Sequence, residues 1–182
     1  MYPTQNPIAL RSKKLITETL LTLLKTYPFN EITVKQILIE AQISRKTFYR
    51  NFSSKEDVLS SYIDSILNDY KDVIFSLEKV SFADCFDVIF SFCEANRDLL
   101  IILKNNNLLH LPMMKLNELL PTLHMEIDIK NYIIFFNIGA IWNVIINWVE
   151  NDMRDPSDSI KQILIDYLDH IDNDMMKYFN IK

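Results

Sequence analysis

One glycine in 182 residues, Gly139, constrains this chain more than any other count. A P-loop, a GxGxxG turn and other glycine loops that cradle phosphate all need residues the chain lacks. Sheets joined by tight primed turns lose their usual turn residue as well. Few breakers combined with much Leu, Ile, Lys and Glu therefore point to an all-α fold. Apolar residues at 49% and charged residues at 24% are ordinary for a folded globular protein and exclude a disordered chain. The length suits one compact helical body or two small units.

The net charge of −5 is unevenly spread. Residues 1–60 carry nine Lys/Arg against five Asp/Glu, a net of +4, and the remaining residues carry ten bases and nineteen acids, a net of −9. A basic head on an acidic body fits an anion-binding module attached to a body that binds no anion. Cys85 and Cys93 form neither a CxxC pair nor a disulfide framework, so two packed thiols in a reducing cytoplasm are expected. The first residues hold no apolar run followed by a small-residue cleavage site, and no secretory leader is expected.

Helical periodicity begins at about residues 9–26, where Ile16, Leu20, Leu23 and Tyr27 mark one buried stripe until Pro28 ends it. Start signals follow closely. Thr33-Val-Lys-Gln36 is a capping box, with Ile32 and Ile37 as its hydrophobic staple. Ser44 is a second N-cap, flanked by Ile43 and Phe48, and Ser53-Ser-Lys-Glu56 is a third box opening a longer helix. Residues 33–52 thus encode two short helices that must pack on each other and on the first, a helix-turn-helix spacing. In the second short helix Phe48 and Phe52 turn inward. Arg45, Lys46, Thr47, Tyr49, Arg50 and Asn51 are left outside, with Ser44 at the cap. Cations for phosphates, and donors and acceptors for base edges, are what a major-groove reader requires. A solvated amphipathic helix would carry the same pattern.

The segment ITVKQILIEAQISRKTFYRNFSSKEDVL resembles the N-terminal domain of the TetR family of bacterial transcriptional regulators. Thr33, Ala41-Gln-Ile-Ser44, Thr47-Phe-Tyr49, Phe52 and Ser54-Lys-Glu-Asp-Val-Leu59 carry the match over about 50 residues. Gln42 stands where the family usually has glycine in the turn, and a left-handed Gln costs roughly 1 kcal/mol more than Gly. The resemblance implies a homodimer that binds a palindromic operator in double-stranded DNA. Residues 1–53 would read the DNA, and residues 54–182 would sense a small-molecule effector and dimerise. Carried over by position, Lys35, Arg45, Lys46, Thr47 and Tyr49 become contacts to base edges or groove. Thr33, Ser44, Tyr49, Asn51 and Lys55 become phosphate contacts, with Arg50 among the exposed DNA-facing cations. The alternative is a helical co-activator or adaptor that works through a protein partner.

Residues 132–149 contain no charge over eighteen positions, the threshold length for a membrane span. Asn137, Asn143 and Asn147 and the lack of basic flanks argue for burial in a core or a subunit contact. With the last helix, which Asp155 would cap and Pro156 would open, this stretch is expected to form a four-helix contact between two copies. Ile141, Ile145, Trp148, Ile160, Leu164, Tyr167 and Leu168 are its candidate residues. Asn143 and Asn147 would bond across that contact or anchor a ligand. The C-terminal stretch also weakly resembles the branch containing the regulators of dihydroxyacetone utilisation.

No serine sits in a nucleophile elbow, and His110, His124 and His170 show no metal-ligand spacing, so neither an enzyme nor a metal or cofactor site is expected. The aromatic and Met residues of the body, among them Phe86, Phe90, Met113, Phe136 and Trp142, fit a plain core or the wall of a ligand pocket.

Overall fold

The computed structural model describes residues 7–75, 82–119 and 130–175, and among them every regular element is an α-helix. They are α1 (Pro7–Leu24), α2 (Val34–Glu40), α3 (Arg45–Asn51), α4 (Lys55–Phe75), α5 (Phe82–Ala95), α6 (Arg97–Asn105), α7 (His110–Leu119), α8 (Lys130–Glu150) and α9 (Ser157–Met175).

The short helices start where their caps dictate. The Thr33 hydroxyl accepts the Gln36 N–H at 3.1 Å and the Ser44 hydroxyl accepts the Thr47 N–H at 3.0 Å. The third box shifts by one residue. Ser54 caps α4 by accepting the Asp57 N–H, and the Asp57 carboxylate accepts the Ser53 N–H at 2.7 Å. Aspartate is one methylene shorter than the expected Glu56, and it meets the backbone one position earlier. At the end of α1 the chain tightens through Lys25, Thr26 and Tyr27 N–H groups that reach back to Thr22 and Leu23. That turn throws Tyr27 out of helical phase, leaving it exposed, and Leu24 takes its place in the core. The last helix also begins one residue later than expected. The Pro156 carbonyl accepts the first helical N–H, from Ile160, which makes Pro156 the cap residue.

Three helices end in left-handed residues that are not glycine. After α2, Gln42 has φ 51°, with the Gln42 N–H on the Ile39 carbonyl and the Ile43 N–H on the Leu38 carbonyl, the paired bonds of a Schellman motif. Asn107 after α6 (φ 58°) and Asp152 after α8 (φ 60°) repeat the arrangement. The single glycine lies inside α8 instead, with nothing within 4 Å of where a Cβ would stand.

α1 packs on α2, α3, α4 and α6. Ile16, Leu20, Ile32, Ile37, Phe48, Val58 and Leu59 form the centre of this head and belong to one buried cluster that continues to Trp148 and Val149 in the body. Burying each such side chain contributes about 1.5–3 kcal/mol. α4 also packs on α5 and α7, α5 on α6 and α9, and α6 on α8. Ion pairs bridge two of these contacts, Lys115 with Asp64 between α7 and α4 and Lys161 with Asp87 between α9 and α5. Each contributes about 0–1 kcal/mol at such exposure.

The outer-face assignment of the uncharged helix needs correction. Ile145 and Trp148 lie in the protomer's own core, 1% and 4% exposed, with the Trp148 indole N–H on the Asp155 carbonyl and its ring 5.2 Å from Phe90. α5 and α6 already cover that side. The solvent-facing stripe of α8 is Phe136, Ala140, Asn143 and Asn147. Asn96 holds the N-cap position of α6, but its side-chain amide donates to the Phe92 carbonyl and caps nothing. Burial pushes the Cys93 thiol up to about 12, with the Glu94 charge adding to the effect, so it is an inert core thiol at neutral pH. The side chains of Cys85, Phe135 and Asn137 and the whole of His124 fall outside the described residues.

Candidate nucleic-acid interface

α3 is seven residues long and is held by one face. Phe48 is fully buried, and Phe52 follows at 5% exposure with its ring 6.3 Å from that of Phe48. This fixes the rotation of the helix. Arg45, Lys46, Tyr49 and Arg50 are exposed, and Thr47 and Asn51 are half-buried at the edge. The Arg45 guanidinium lies 5.6 Å from the Tyr49 ring centroid, and the Phe48 ring meets Tyr49 edge-on at 5.3 Å. Both contacts hold Tyr49 upright beside a cation, about 48% exposed.

The hydrogen-bonding groups divide between internal and external duty. The Asn51 amide donates to the Thr47 carbonyl at 2.7 Å, and the Ser44 and Thr47 hydroxyls lie 2.9 Å apart. Thr33 and Ser44 are exposed caps at the N-termini of α2 and α3, where helix ends favour an anion. Lys35 is exposed on the first turn of α2.

Lys55 behaves differently from the expectation. Its ammonium donates to the carbonyls of Phe29 at 2.5 Å and Ile32 at 2.6 Å and sits 4.6 Å from the Phe29 ring centroid. The side chain braces the α1–α2 connection and leaves no free ammonium for a phosphate. The signal for this was present in the sequence only as the Lys at the first position of α4, which a motif reading assigns to DNA.

The cations of head and body are held differently. Among the described residues, Lys35, Arg45, Lys46 and Arg50 have no carboxylate within ion-pair distance. Lys104, Lys115 and Lys161 in the body are each bound by an aspartate or glutamate. Hydrogen bonds that the Lys115 and Lys161 ammonium groups donate to Glu118 and Asp158 respectively push both lysines up, which keeps them charged and occupied. Asp57, near Lys13, is held below the usual carboxylate range chiefly by the Ser53 N–H. Among the described residues Arg11, Lys13 and Lys25, on α1 and just after it, also lack an ion pair, so α1, α2 and α3 share the free positive charge of the head.

Elsewhere, an apolar groove of about 90 Å³ runs between α5, α8 and α9, lined by Phe86, Ile141, Val144, Leu164, Tyr167 and Leu168. Drug-sized ligands occupy about 300–1,000 Å³. Phe86, Phe90 and Trp148 are plain core, Phe92, Met113 and Trp142 are half-buried, and Met114 and Phe136 are exposed. Asn143 donates to the Gly139 carbonyl of its own helix. Among the described residues no group of three His, Cys, Asp or Glu could hold a metal ion, and no helix is long and apolar enough to cross a membrane.

Residues 16–62 match the family model of the bacterial regulatory proteins of the tetR family. The matched span runs from the first core residue of α1 to the second turn of α4 and encloses both short helices. A solved chain described as "Dihydroxyacetone kinase operon activator DhaS" superposes with a TM-score of 0.53 at 17% identity, covering 87% of this chain and 94% of that one. That likeness is one of fold, and it extends the resemblance from the head through the body. No curated protein matches the chain in sequence. Residues 16–62, with their capped helix-turn-helix and buried Phe48, are thus the part of the chain that is similar to the bacterial regulatory proteins of the tetR family.

Proposed function

We propose that this protein is a transcriptional regulator that binds a palindromic operator as a homodimer and releases it on binding a small-molecule effector, acting as a repressor. The observation that carries the reading is the outer face of α3. Among the described residues, Arg45, Lys46 and Arg50 stand exposed without acidic partners beside Tyr49, while Lys104, Lys115 and Lys161 of the body are each paired with a carboxylate. An adaptor with a vestigial head would have no reason to keep three unpaired cations on a seven-residue helix. Arg45, Lys46, Thr47, Tyr49 and Lys35 serve as groove contacts. Thr33, Ser44, Asn51 and Arg50 serve the phosphates, with Lys55 contributing its helix N-terminus.

Residues 1–53 act as the reading head and 54–182 as the regulatory and dimerising body. Dimerisation uses the exposed stripe of α8 with the outer face of α9, where Ile163 and Tyr167 are 67% and 62% exposed. Two reading helices enter successive major grooves only when about 34–36 Å apart. An effector that prefers another spacing releases DNA to the extent of that preference.

The test is a mobility shift of the purified protein on DNA from upstream of its own gene, titrated with salt. A discrete complex that weakens steeply with salt is expected. Binding equal to that of an unrelated duplex at every salt concentration would overturn the reading.

A further inference from the structure

The peptide of Phe29 is gripped from both sides. Its carbonyl accepts the Lys55 ammonium, and its N–H donates to Asn106 Oδ1 at 2.8 Å, 77 positions away in the chain. Asn106 uses its remaining capacity in the same place. Its amide nitrogen donates to the Ile102 carbonyl at 2.8 Å and to the Leu24 carbonyl at 3.3 Å. Leu24 is the last residue of α1, so this carbonyl is one that the helix itself leaves without a partner. One half-buried amide therefore joins the end of α1, the connection to α2 and the end of α6.

The other side chains of α6 tie it to the corner after α8. Arg97 donates to the Asp152 carbonyl at 2.6 Å, and Lys104 donates to the Glu150 carbonyl and the Asp152 carboxylate at 2.9 and 2.8 Å. The left-handed Asn107 and the Leu108 N–H on the Leu103 carbonyl lock the backbone that aims Asn106. α6 is thus tied to the corner after α8 by charge and, among the described residues, joined to the head by packing on α1 and by the hydrogen bonds of Asn106.

From this we infer that Asn106 is the positioning residue that sets the orientation of the reading helix against the body. The inference rests on the DNA-reading function for its consequence, although not for its geometry. Only an amide satisfies the site. Aspartate lacks both donors and places a charge against the Leu24 and Ile102 carbonyls, and alanine leaves the Phe29 N–H and the Leu24 carbonyl without partners. The segment from Lys25 to Thr33 contains no regular helix, so without Asn106 it is held to the body only through packing and Lys55.

The experiment compares the full-length wild type with Asn106→Ala and Asn106→Asp. Amide hydrogen exchange is read by mass spectrometry on peptides covering residues 25–53 and, as the internal reference, residues 140–165. Faster exchange through α2 and α3, by about tenfold or more, is expected in both variants, with the Phe29 amide itself faster in Asn106→Ala, where its acceptor is gone, and with the reference unchanged. Unchanged exchange in residues 25–53 would overturn the inference whatever the protein does with DNA. Equal acceleration in both regions would overturn it too, since it would mean general destabilisation. In the second arm, affinity for DNA from upstream of its own gene falls about tenfold in Asn106→Ala, while binding of an unrelated duplex at low salt is retained because the cations of α3 are untouched. Equal loss on both duplexes would show that Asn106 does not act through head orientation. Absence of wild-type binding to the upstream DNA counts against the proposed function and leaves the exchange result to decide on Asn106.

Discussion

The Lys55 ammonium donates to the Ile32 carbonyl at 2.6 Å, just before the cap of α2. A lysine at the start of a helix that follows a reading helix invites assignment to a phosphate. Here its charge is spent on the connection that sets where α2 begins. Replacing Lys55 with alanine strips the carbonyls of Phe29 and Ile32 of a charged donor. The expected loss is about 1.5–3 kcal/mol of stability, with little change in the salt dependence of DNA binding. Thermal unfolding together with a salt titration checks both parts, and a normal melting curve with a reduced salt slope would return Lys55 to the phosphates.

The free cations lead to a different expectation. A dimer that neutralises roughly six to ten phosphates should show log K falling with log salt at a slope of about −5 to −9. Arg50→Ala should make that slope shallower by about two, one for each subunit, because Arg50 is exposed and has no acidic partner among the described residues. Tyr49→Ala should instead weaken operator binding by about 1–3 kcal/mol without altering the slope. Fluorescence anisotropy at four or five salt concentrations separates the two variants. Identical behaviour would break the division into base-type and phosphate contacts.

Local signals carried most of the head. Thr33 and Ser44 were legible as caps and Phe48 and Phe52 as the inward pair, since each depends on residues three or four positions away. The third cap slipped by one because Ser53-Ser54 and Glu56-Asp57 offer two registers, and side-chain length decides between them. Asn106 gave no signal, because its partners lie 77 and 82 positions away and an Asn-Asn-Asn run reads simply as a helix stop. Ile145 and Trp148 read as outward from the sequence because an uncharged helix has no polar face to show which side its own protomer covers. Burial on one side by α5 and α6 is a tertiary fact that periodicity does not contain.

Gln42 tests how much the turn tolerates. It is exposed at φ 51°, a conformation that costs a residue with a Cβ about 1–2 kcal/mol relative to glycine. Glycine also gains freedom in the unfolded chain, which offsets about 0.4–1 kcal/mol. Gln42→Gly should therefore stabilise the protein by about 0.5–1 kcal/mol, a rise of roughly 1–4 °C in Tm. A fall in Tm would mean that the Gln42 side chain makes a contact worth more than the strain.

Asp57 links the head to pH. The Ser53 N–H and hydroxyl hold its carboxyl below the ordinary 3.8, so the folded state binds that proton less readily than the unfolded chain. Its contribution is fully present above the unfolded value and is lost as pH falls through the lower, folded one. Stability of the wild type should decline below about pH 4 more steeply than that of Asp57→Asn, which also lacks the full cap at neutral pH. Urea unfolding at pH 7 and pH 3.5 gives the comparison. Equal pH dependence in both proteins would show that another carboxylate dominates.

The exposed faces of α8 and α9 set the assembly prediction. Phe136 is 74% exposed, Ile163 67% and Tyr167 62%, while Ile160, Leu164 and Leu168 are packed against the core. Three large apolar side chains thus stand exposed on α8 and α9, and Tyr167 also lines the groove with Ile141 and Val144, which is apolar surface for a subunit contact to cover. A two-fold axis through this patch would let each copy cover the other, giving a dimer of about twice 21.5 kDa. The buried and exposed apolar residues should then respond differently to charge. Tyr167→Asp places a carboxylate in the contact and should raise the dimer Kd by a hundredfold or more, the scale of a hot-spot loss of about 2–4 kcal/mol, while helical content and cooperative unfolding persist. Ile145→Asp puts the same charge into the protomer core and should unfold the chain. Light scattering across a dilution series, with circular dichroism on the same samples, distinguishes these outcomes. A folded Tyr167→Asp protein with an unchanged dimer Kd would move the subunit contact off α9.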